Sequence, residues 1–86
     1  MNFLHYEFDT DRGEVIRVRL DKQANVRLLD NPNFAKYRSG QQYKFYGGLA
    51  KRSPIDLAPP HAGHWHVAID LGGYSGQIRA SAQKVG

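Results

Sequence analysis

The chain has 86 residues, of which 41% are hydrophobic, 23% charged and 12% aromatic, and its formal net charge is +4. This composition is typical of a globular protein, so it excludes a disordered tail, a collagen-like rod and a coiled coil. The length predicts a single domain over residues 1–86, and because the chain has no cysteine, neither a disulfide nor a thiolate metal site can support its small core.

Two short strands are predicted before residue 30. Residues 14–20 alternate between apolar and charged side chains, which is typical of a strand with one buried face. A polar turn over 21–24 follows, and residues 25–29 repeat the alternation. Because the turn has the length of a hairpin loop, we predict that these two strands pair with each other.

The next stretch is the only part of the sequence that favours a helix, of two turns at most. Asp30 can cap its first turn, Pro32 suits an opening turn, and Gly40 can end it. Phe34 and Tyr37 are three residues apart and so share one face. We expect that face to be buried.

Two weaker strands are predicted in the middle of the chain. One covers residues 43–46 and is expected to end at the glycine pair 47–48. The other covers residues 55–57 and is expected to end at the proline pair 59–60.

Residues 64–71 give the strongest strand signal. One face carries Trp65, Val67, Ile69 and Leu71, and the opposite face carries His64, His66, Ala68 and Asp70. We expect the first face to be buried and the second to be wet, as in many antiparallel sheets. A glycine-rich turn over 72–76 then leads to a last strand over 77–81.

Six or seven short strands, with turns every eight to twelve residues, predict an all-β fold that is a small antiparallel β-sandwich. One core between two sheets is expected to contain the apolar residues of the strands. They are Ile16, Val18, Leu20, Val26, Leu28, Tyr43, Phe45, Trp65, Val67, Ile69 and Ile78.

The basic residues are concentrated in the middle of the chain, where residues 12–52 hold ten lysines and arginines against three acidic residues. In the predicted hairpin, Arg17, Arg19 and Arg27 share one face. Lys44 can extend this face from a neighbouring strand. Like charges this close repel each other, so either carboxylates compensate them or an anion binds between them. The pattern thus gives the hypothesis of a face that binds phosphate or an acidic partner.

A metal site is the next hypothesis to weigh. His64 and His66 are two apart on a strand and therefore point the same way, about 6.5 to 7 Å apart. They can reach one divalent ion, with Asp70 or His61 as a third ligand. Zinc hydrolases surround such a pair with further ligands, and this chain has only His5 left to offer. We therefore expect surface histidines that bind water or neighbouring strands, and no metal or other cofactor.

The glycine pairs form a second type of candidate site. They do not match a nucleotide-binding fingerprint, but bare backbone beside Tyr46 and Tyr74 can approach a ligand while the rings stack on it. A carbohydrate-binding module would use these two rings or Trp65 as its platforms. This alternative requires the rings to be exposed.

Three groups of residues form a pattern that spans nearly the whole chain. They are Leu20–Asp30, then Asn33-Phe34 with Tyr46–Ala50 and Arg52–Pro54, and Gly63–Tyr74. In these groups the chain resembles the bacterial domain-of-unknown-function family numbered 1883. The resemblance implies a sandwich with one strongly bent sheet, akin to a distorted β-prism, that occurs alone or joined to TIR domains. It carries no catalytic or binding residue over to this chain.

We interpret the chain as a non-catalytic binding or interaction module for a polar or anionic ligand or partner. The site is expected at the arginine face or at the glycine–tyrosine loops. The alternatives are a carbohydrate-binding module and a metal-dependent hydrolase that uses His64 and His66. No Gly-x-Ser-x-Gly motif is present, and the Ser residues lie in or beside turns.

The remaining expectations concern partners and location. The RNA-recognition aromatic pattern is absent, which argues against a nucleic-acid partner. The sequence has neither a run of about 18 apolar residues nor the start of a signal peptide, so we expect a cytoplasmic protein without a membrane partner. A homo-oligomer or a TIR-type partner is left open, the latter by analogy with the resembling family.

Overall fold

A computed structural model describes residues 3–74 and 76–86, which form seven strands and one helix. In chain order they are β1 (Leu4–Thr10), β2 (Val15–Leu20), β3 (Ala24–Leu29), α1 (Asn31–Arg38), β4 (Tyr46–Ala50), β5 (Ile55–Leu57), β6 (Gly63–Asp70) and β7 (Ala80–Val85). The strands pair antiparallel in a four-stranded sheet, β1-β6-β3-β4, and a three-stranded sheet, β5-β2-β7. The predicted all-β sandwich is thus confirmed.

The main core lies between the two sheets. Ile16 and Val18 of β2 pack against Val67 and Ile69 of β6, and all four side chains are fully buried. Burying side chains of this size stabilises the fold by roughly 1.5–3 kcal/mol each. Two predicted core residues are wrong, because Phe45 is 42% exposed and Tyr43 packs against a second cluster outside the sandwich core.

The predicted helix is confirmed as α1, and it covers the outer face of the four-stranded sheet. The Asp30 carboxylate accepts a hydrogen bond from the Asn33 amide at 3.0 Å and so caps the helix. Phe34 and Tyr37 are buried in a second apolar cluster with Leu29 and Ala68. The fold therefore has three layers: the three-stranded sheet, the four-stranded sheet and the helix.

This third layer corrects the expectation that the polar face of β6 is wet. His66 is 6% exposed and Asp70 is 4% exposed, and Ala68 between them is fully buried. The strand is central in its sheet, with β1 on one side and β3 on the other, and α1 packs over its outer face. Only His64, at the start of the strand, is partly accessible.

The predicted hairpin of residues 14–20 and 25–29 is wrong. β2 pairs with β5 and β7, whereas β3 pairs with β4 and β6. The apolar faces of β2 and β3 meet across the sandwich instead of lying side by side, since both contribute to the main core. Residues 21–23 connect the two sheets, and Asp21 is held by two hydrogen bonds with the backbone of Arg79.

Two predicted strand boundaries also differ from the structure. The predicted strand over 43–46 shares only Tyr46 with β4, which runs on through the glycine pair 47–48. Glycine is needed at position 47 because a Cβ there would collide with the carbonyl oxygen of Val26. The last strand covers Ala80–Val85 and not residues 77–81. Of the predicted turn over 72–76, Ser75 lies outside the described residues.

Candidate functional site

The four predicted anion-binding residues do not form one surface. Arg17 and Arg19 are on the outer face of the three-stranded sheet, while Arg27 is on the outer face of the four-stranded sheet, on the opposite side of the sandwich. Lys44 is an exposed residue before β4. The expectation that these residues share a face is therefore wrong, because it depended on the hairpin.

Two of these arginines are already paired with carboxylates. Arg17 and Asp56 lie opposite each other in β2 and β5 and make two hydrogen bonds, at 2.9 and 3.1 Å. This exposed pair holds the pKa of Asp56 below its usual value, through the hydrogen bond from Arg17. Arg27 pairs with Asp70 at 2.5 Å beneath α1. The arginine face thus loses much of the repulsion that would favour a bound anion.

Asp70 is the centre of a buried polar network. Its carboxylate accepts hydrogen bonds from the Tyr37 hydroxyl at 2.6 Å, the Asn25 amide at 3.0 Å and the Gly72 backbone at 2.8 Å, besides Arg27. Burial acts to raise the pKa of Asp70, but these hydrogen bonds outweigh it, so the pKa lies below its ordinary value. Asp70 is therefore a charged anchor, and its four partners occupy the sites where it could bind a metal.

The histidines form a separate cluster at the other end of β6. His66 makes a hydrogen bond to His5 of β1 at 2.8 Å through Nδ1 and to the Asn31 side chain at 2.5 Å through Nε2. Burial lowers the pKa of both His5 and His66, and for His66 the neighbouring His5 imidazole lowers the pKa further. Glu7 completes the cluster, with its carboxylate 3.6 Å from His66 Nδ1.

His64 has a different environment from its neighbour. It makes hydrogen bonds to Asp9 at 2.6 Å and to Glu7 at 3.0 Å, so that its two ring nitrogens both face carboxylates. These bonds, the one to Asp9 first, raise the pKa of His64. His61 lies apart from the cluster, beside the ring of Trp65.

Sequence reasoning identified His66 but missed His5 and Glu7 as its neighbours. It also placed Asp70 with the histidines, although four residues along a strand span about 13 Å. His5 and Glu7 alternate on β1 as His64 and His66 do on β6, but only the pairing of Glu7 with His66 brings the two patterns together. The pairing of distant strands is not readable from one sequence.

A cleft opens at the end of the sandwich where β1 begins and β6 ends. Its volume is about 690 Å³, within the range of small-molecule sites. It is lined by Phe3, Leu4, Ile69, Asp70, Leu71, Gly73, Tyr74, Gly76, Gln77 and Ile78. Most of these side chains are apolar, and Gln77 offers an uncharged hydrogen-bonding group.

The two predicted tyrosine sites are at opposite ends of β6. Tyr74 lies at the cleft and is 84% exposed. Tyr46 packs edge-on against Trp65, with ring centroids 6.1 Å apart, and is 53% exposed. Trp65 itself is fully buried, with its ring nitrogen bonded to the His61 carbonyl, so it cannot serve as a stacking platform.

The described residues contain no helix with the length and hydropathy that crossing a bilayer requires. The comparisons with curated proteins and with solved structures found no match. The comparison with protein families found one over residues 1–86, the entire chain, described as "Domain of unknown function (DUF1883)". The resemblance seen in the sequence is thus confirmed, and the chain belongs to the DUF1883 family.

Proposed function

We propose that the domain is a non-catalytic binding module whose ligand occupies the end cleft. The observation that carries this proposal is the combination of an open volume of about 690 Å³ with mainly apolar walls. Ligand sites are usually concave and apolar with a few polar groups that fix orientation. The described residues that line the cleft include no histidine, lysine or cysteine to act as a base or nucleophile, which favours binding over catalysis.

The charges around the cleft indicate an uncharged ligand. No lysine or arginine is found among the described lining residues, so the cleft walls themselves offer an anion no cation, although the Lys22 ammonium lies 3.5 Å from where a Cβ of Gly76 would be. The Asp70 carboxylate already accepts four hydrogen bonds and forms an ion pair with Arg27, so a cationic ligand would have to displace these partners. A neutral, largely apolar molecule with one polar group for Gln77 fits best. This proposal replaces the anionic ligand that the sequence suggested.

A pair of fluorescent probes with the same ring system can test the charge preference. N-phenylnaphthylamine is neutral, and anilinonaphthalene sulfonate adds one negative charge. We expect the neutral probe to bind the folded protein with one-to-one stoichiometry and at least about tenfold more tightly than the sulfonate, because the latter must be desolvated without a cation. Equal affinity, or tighter binding of the sulfonate, would contradict a neutral cleft.

Two matched tyrosine variants can test whether the probe binds in the end cleft. Tyr74→Ala removes a ring beside the cleft, and Tyr46→Ala removes a ring at the other end of β6. We expect the first to weaken binding of N-phenylnaphthylamine about three- to tenfold, the range of one aromatic contact, and the second to leave it unchanged. If Tyr46→Ala weakens binding as much as Tyr74→Ala, the probe does not occupy the cleft.

A carbohydrate is the second candidate ligand, and the exposed ring of Tyr74 is the observation that favours it. One ring beside an apolar wall suits a single sugar residue and not a chain that needs several platforms. Titration with maltose, cellobiose and lactose, followed by the backbone amide NMR signals of the cleft residues Gly73 and Gln77, tests this alternative. Saturable shifts that Tyr74→Ala abolishes would favour a sugar over an apolar ligand.

A further inference from the structure

Three donor groups with the chemistry of metal ligands meet on the outer face of the four-stranded sheet. His5 and Glu7 come from β1 and His66 from β6, and their ligand atoms all lie within 4.8 Å of one another. Glu7 and His66 are directly opposite in the strand pairing. We propose that these three side chains bind one divalent ion of the zinc type.

The distances between the donor atoms are close to those of a coordination shell. Two atoms that each lie about 2.1 Å from one ion are about 3.0 to 3.6 Å apart when the angle at the ion is about 90° to 120°. His66 Nδ1 and the Glu7 carboxylate, 3.6 Å apart, are within this range. His5 Nε2 and His66 Nδ1 are 2.8 Å apart, the distance of their hydrogen bond, and must move slightly apart to hold an ion. The Glu7 side chain is half exposed, so its carboxylate can rotate toward the ion in exchange for the hydrogen bond that it shares with His64.

The contact between His66 and Asn31 prepares His66 as a ligand. The amide oxygen of Asn31 can only accept a hydrogen bond, so His66 Nε2 carries the proton that it donates. The lone pair of His66 is then on Nδ1, which faces His5 and Glu7. Histidines that bind metals commonly donate their other ring N–H to a carbonyl or carboxylate in this way.

In the metal-free protein, His5 Nε2 donates its proton to His66 Nδ1. An ion would take the position of that proton between the two rings. His5 would then adopt its other neutral tautomer, with the proton on Nδ1, so no proton needs to leave the protein.

The ring of Phe34 holds both imidazoles in position. It stacks on His66 with centroids 4.3 Å apart and on His5 with centroids 4.2 Å apart. Phe34 itself is buried under α1. Ligands whose orientation is fixed before binding lose less conformational entropy when the ion enters.

The set of donors selects the type of ion. Two imidazole nitrogens and one carboxylate suit Zn²⁺ and its neighbours Co²⁺ and Ni²⁺, whereas Mg²⁺ and Ca²⁺ prefer shells of oxygen ligands. His5 and Glu7 are exposed, which leaves the outer side of the ion open to a water molecule. The three ligands do not line the end cleft, and this inference is therefore independent of the proposed function.

The test is titration of chelator-treated, full-length protein with ZnCl₂ by calorimetry, followed by Co²⁺ titration in the visible spectrum. We expect one equivalent of Zn²⁺, a rise in Tm with added Zn²⁺, and no response to MgCl₂. His5→Gln and Glu7→Gln should each weaken Zn²⁺ binding at least about tenfold. Asn31→Ala, which removes only the hydrogen bond behind His66, should weaken it about 10- to 100-fold.

His61→Gln is the matched control, because His61 is an exposed histidine outside the cluster. It should leave Zn²⁺ affinity unchanged. The proposal is overturned if the wild-type protein binds no Zn²⁺ with one-to-one stoichiometry, or if His61→Gln weakens binding as much as His5→Gln. It is equally overturned if folded Glu7→Gln and Asn31→Ala proteins bind Zn²⁺ as the wild type does.

Discussion

The two faces of β6 are buried to a similar extent, but one face carries apolar side chains and the other carries polar ones. The inner face presents Trp65, Val67 and Ile69 to the second sheet, and all three side chains are buried in the main core. The outer face presents His66 and Asp70 to the helix, and both are also buried. One strand therefore lies between an apolar core and a polar network.

The inner face is held by the transfer of apolar surface out of water, which any side chains of suitable volume can provide. The outer face is held by hydrogen bonds that must be made by particular partners, since a buried polar group without a partner is costly. Arg27 is an exception to this requirement: its Nη1 pairs with Asp70, but its buried Nε has no hydrogen-bond partner among the described residues. The ring faces of Tyr37 and Phe45 lie 5.6 and 5.4 Å from the guanidinium and compensate in part.

The largest expected effect is on the inner face. Trp65→Ala removes the largest of the fully buried side chains and should reduce the free energy of unfolding by about 3 to 5 kcal/mol. A domain of this size has only about 4 to 13 kcal/mol in total, so this loss is a large fraction of its stability. Urea unfolding followed by circular dichroism measures the loss. A Trp65 emission spectrum typical of full exposure in the wild type would contradict a buried ring.

A somewhat smaller effect is expected on the outer face. Asp70→Asn keeps the shape of the side chain but leaves the Arg27 guanidinium without its counter-charge, which should cost about 3 kcal/mol by the same measurement. The double variant Asp70→Asn with Arg27→Met should recover part of the loss, because no buried charge is then left. If the double variant is less stable than Asp70→Asn alone, the ion pair is not what makes the single change costly.

The contrast between the faces also explains how much of the fold could be predicted. The alternation in residues 64–71 correctly separates Trp65, Val67 and Ile69 from His66 and Asp70, because side chains on a strand have a period of two. It does not say whether the polar face is covered. Whether the polar face is covered depends on α1. The sequence predicts that Phe34 and Tyr37 of this helix share a buried face, but it does not indicate which surface they pack against.

For the candidate sites too, local patterns could be predicted from the sequence and contacts between distant segments could not. Residues close in sequence could be grouped, so His64 and His66 were placed on one face. Groups made by strand pairing could not be predicted, and the error on the β2–β3 hairpin therefore also misplaced Arg27 beside Arg17. His5 joins His66 across about 60 residues, and no local pattern contains that information.

The dependence of stability on pH offers a finer test of the outer face. The pKa of Asp70 in the folded protein lies below its ordinary value of 3.8, so its contribution to stability is fully present above about pH 4. As the pH falls below 3.8, the unfolded chain binds a proton first, and this contribution is lost progressively until the folded carboxyl also protonates. Wild-type stability should thus fall more steeply between about pH 4 and pH 2 than that of Asp70→Asn. Parallel curves from urea unfolding in this range would contradict the role given to Asp70.

The smallest expected effect comes from the other arginine–aspartate pair. Arg17 makes two hydrogen bonds to Asp56, whereas Arg27 makes one to Asp70, so a tally of contacts would make the first pair the stronger. The side chains of Arg17 and Asp56 are 36% and 45% exposed, however, and ion pairs in contact with solvent gain little because water already stabilises each charge. Arg17→Gln should therefore leave the urea midpoint within experimental error of the wild type. Arg27→Gln leaves the buried Asp70 carboxylate without its counter-charge and should lower the midpoint clearly. If the two substitutions destabilise the protein equally, burial beneath α1 is not what distinguishes the two faces of the sandwich.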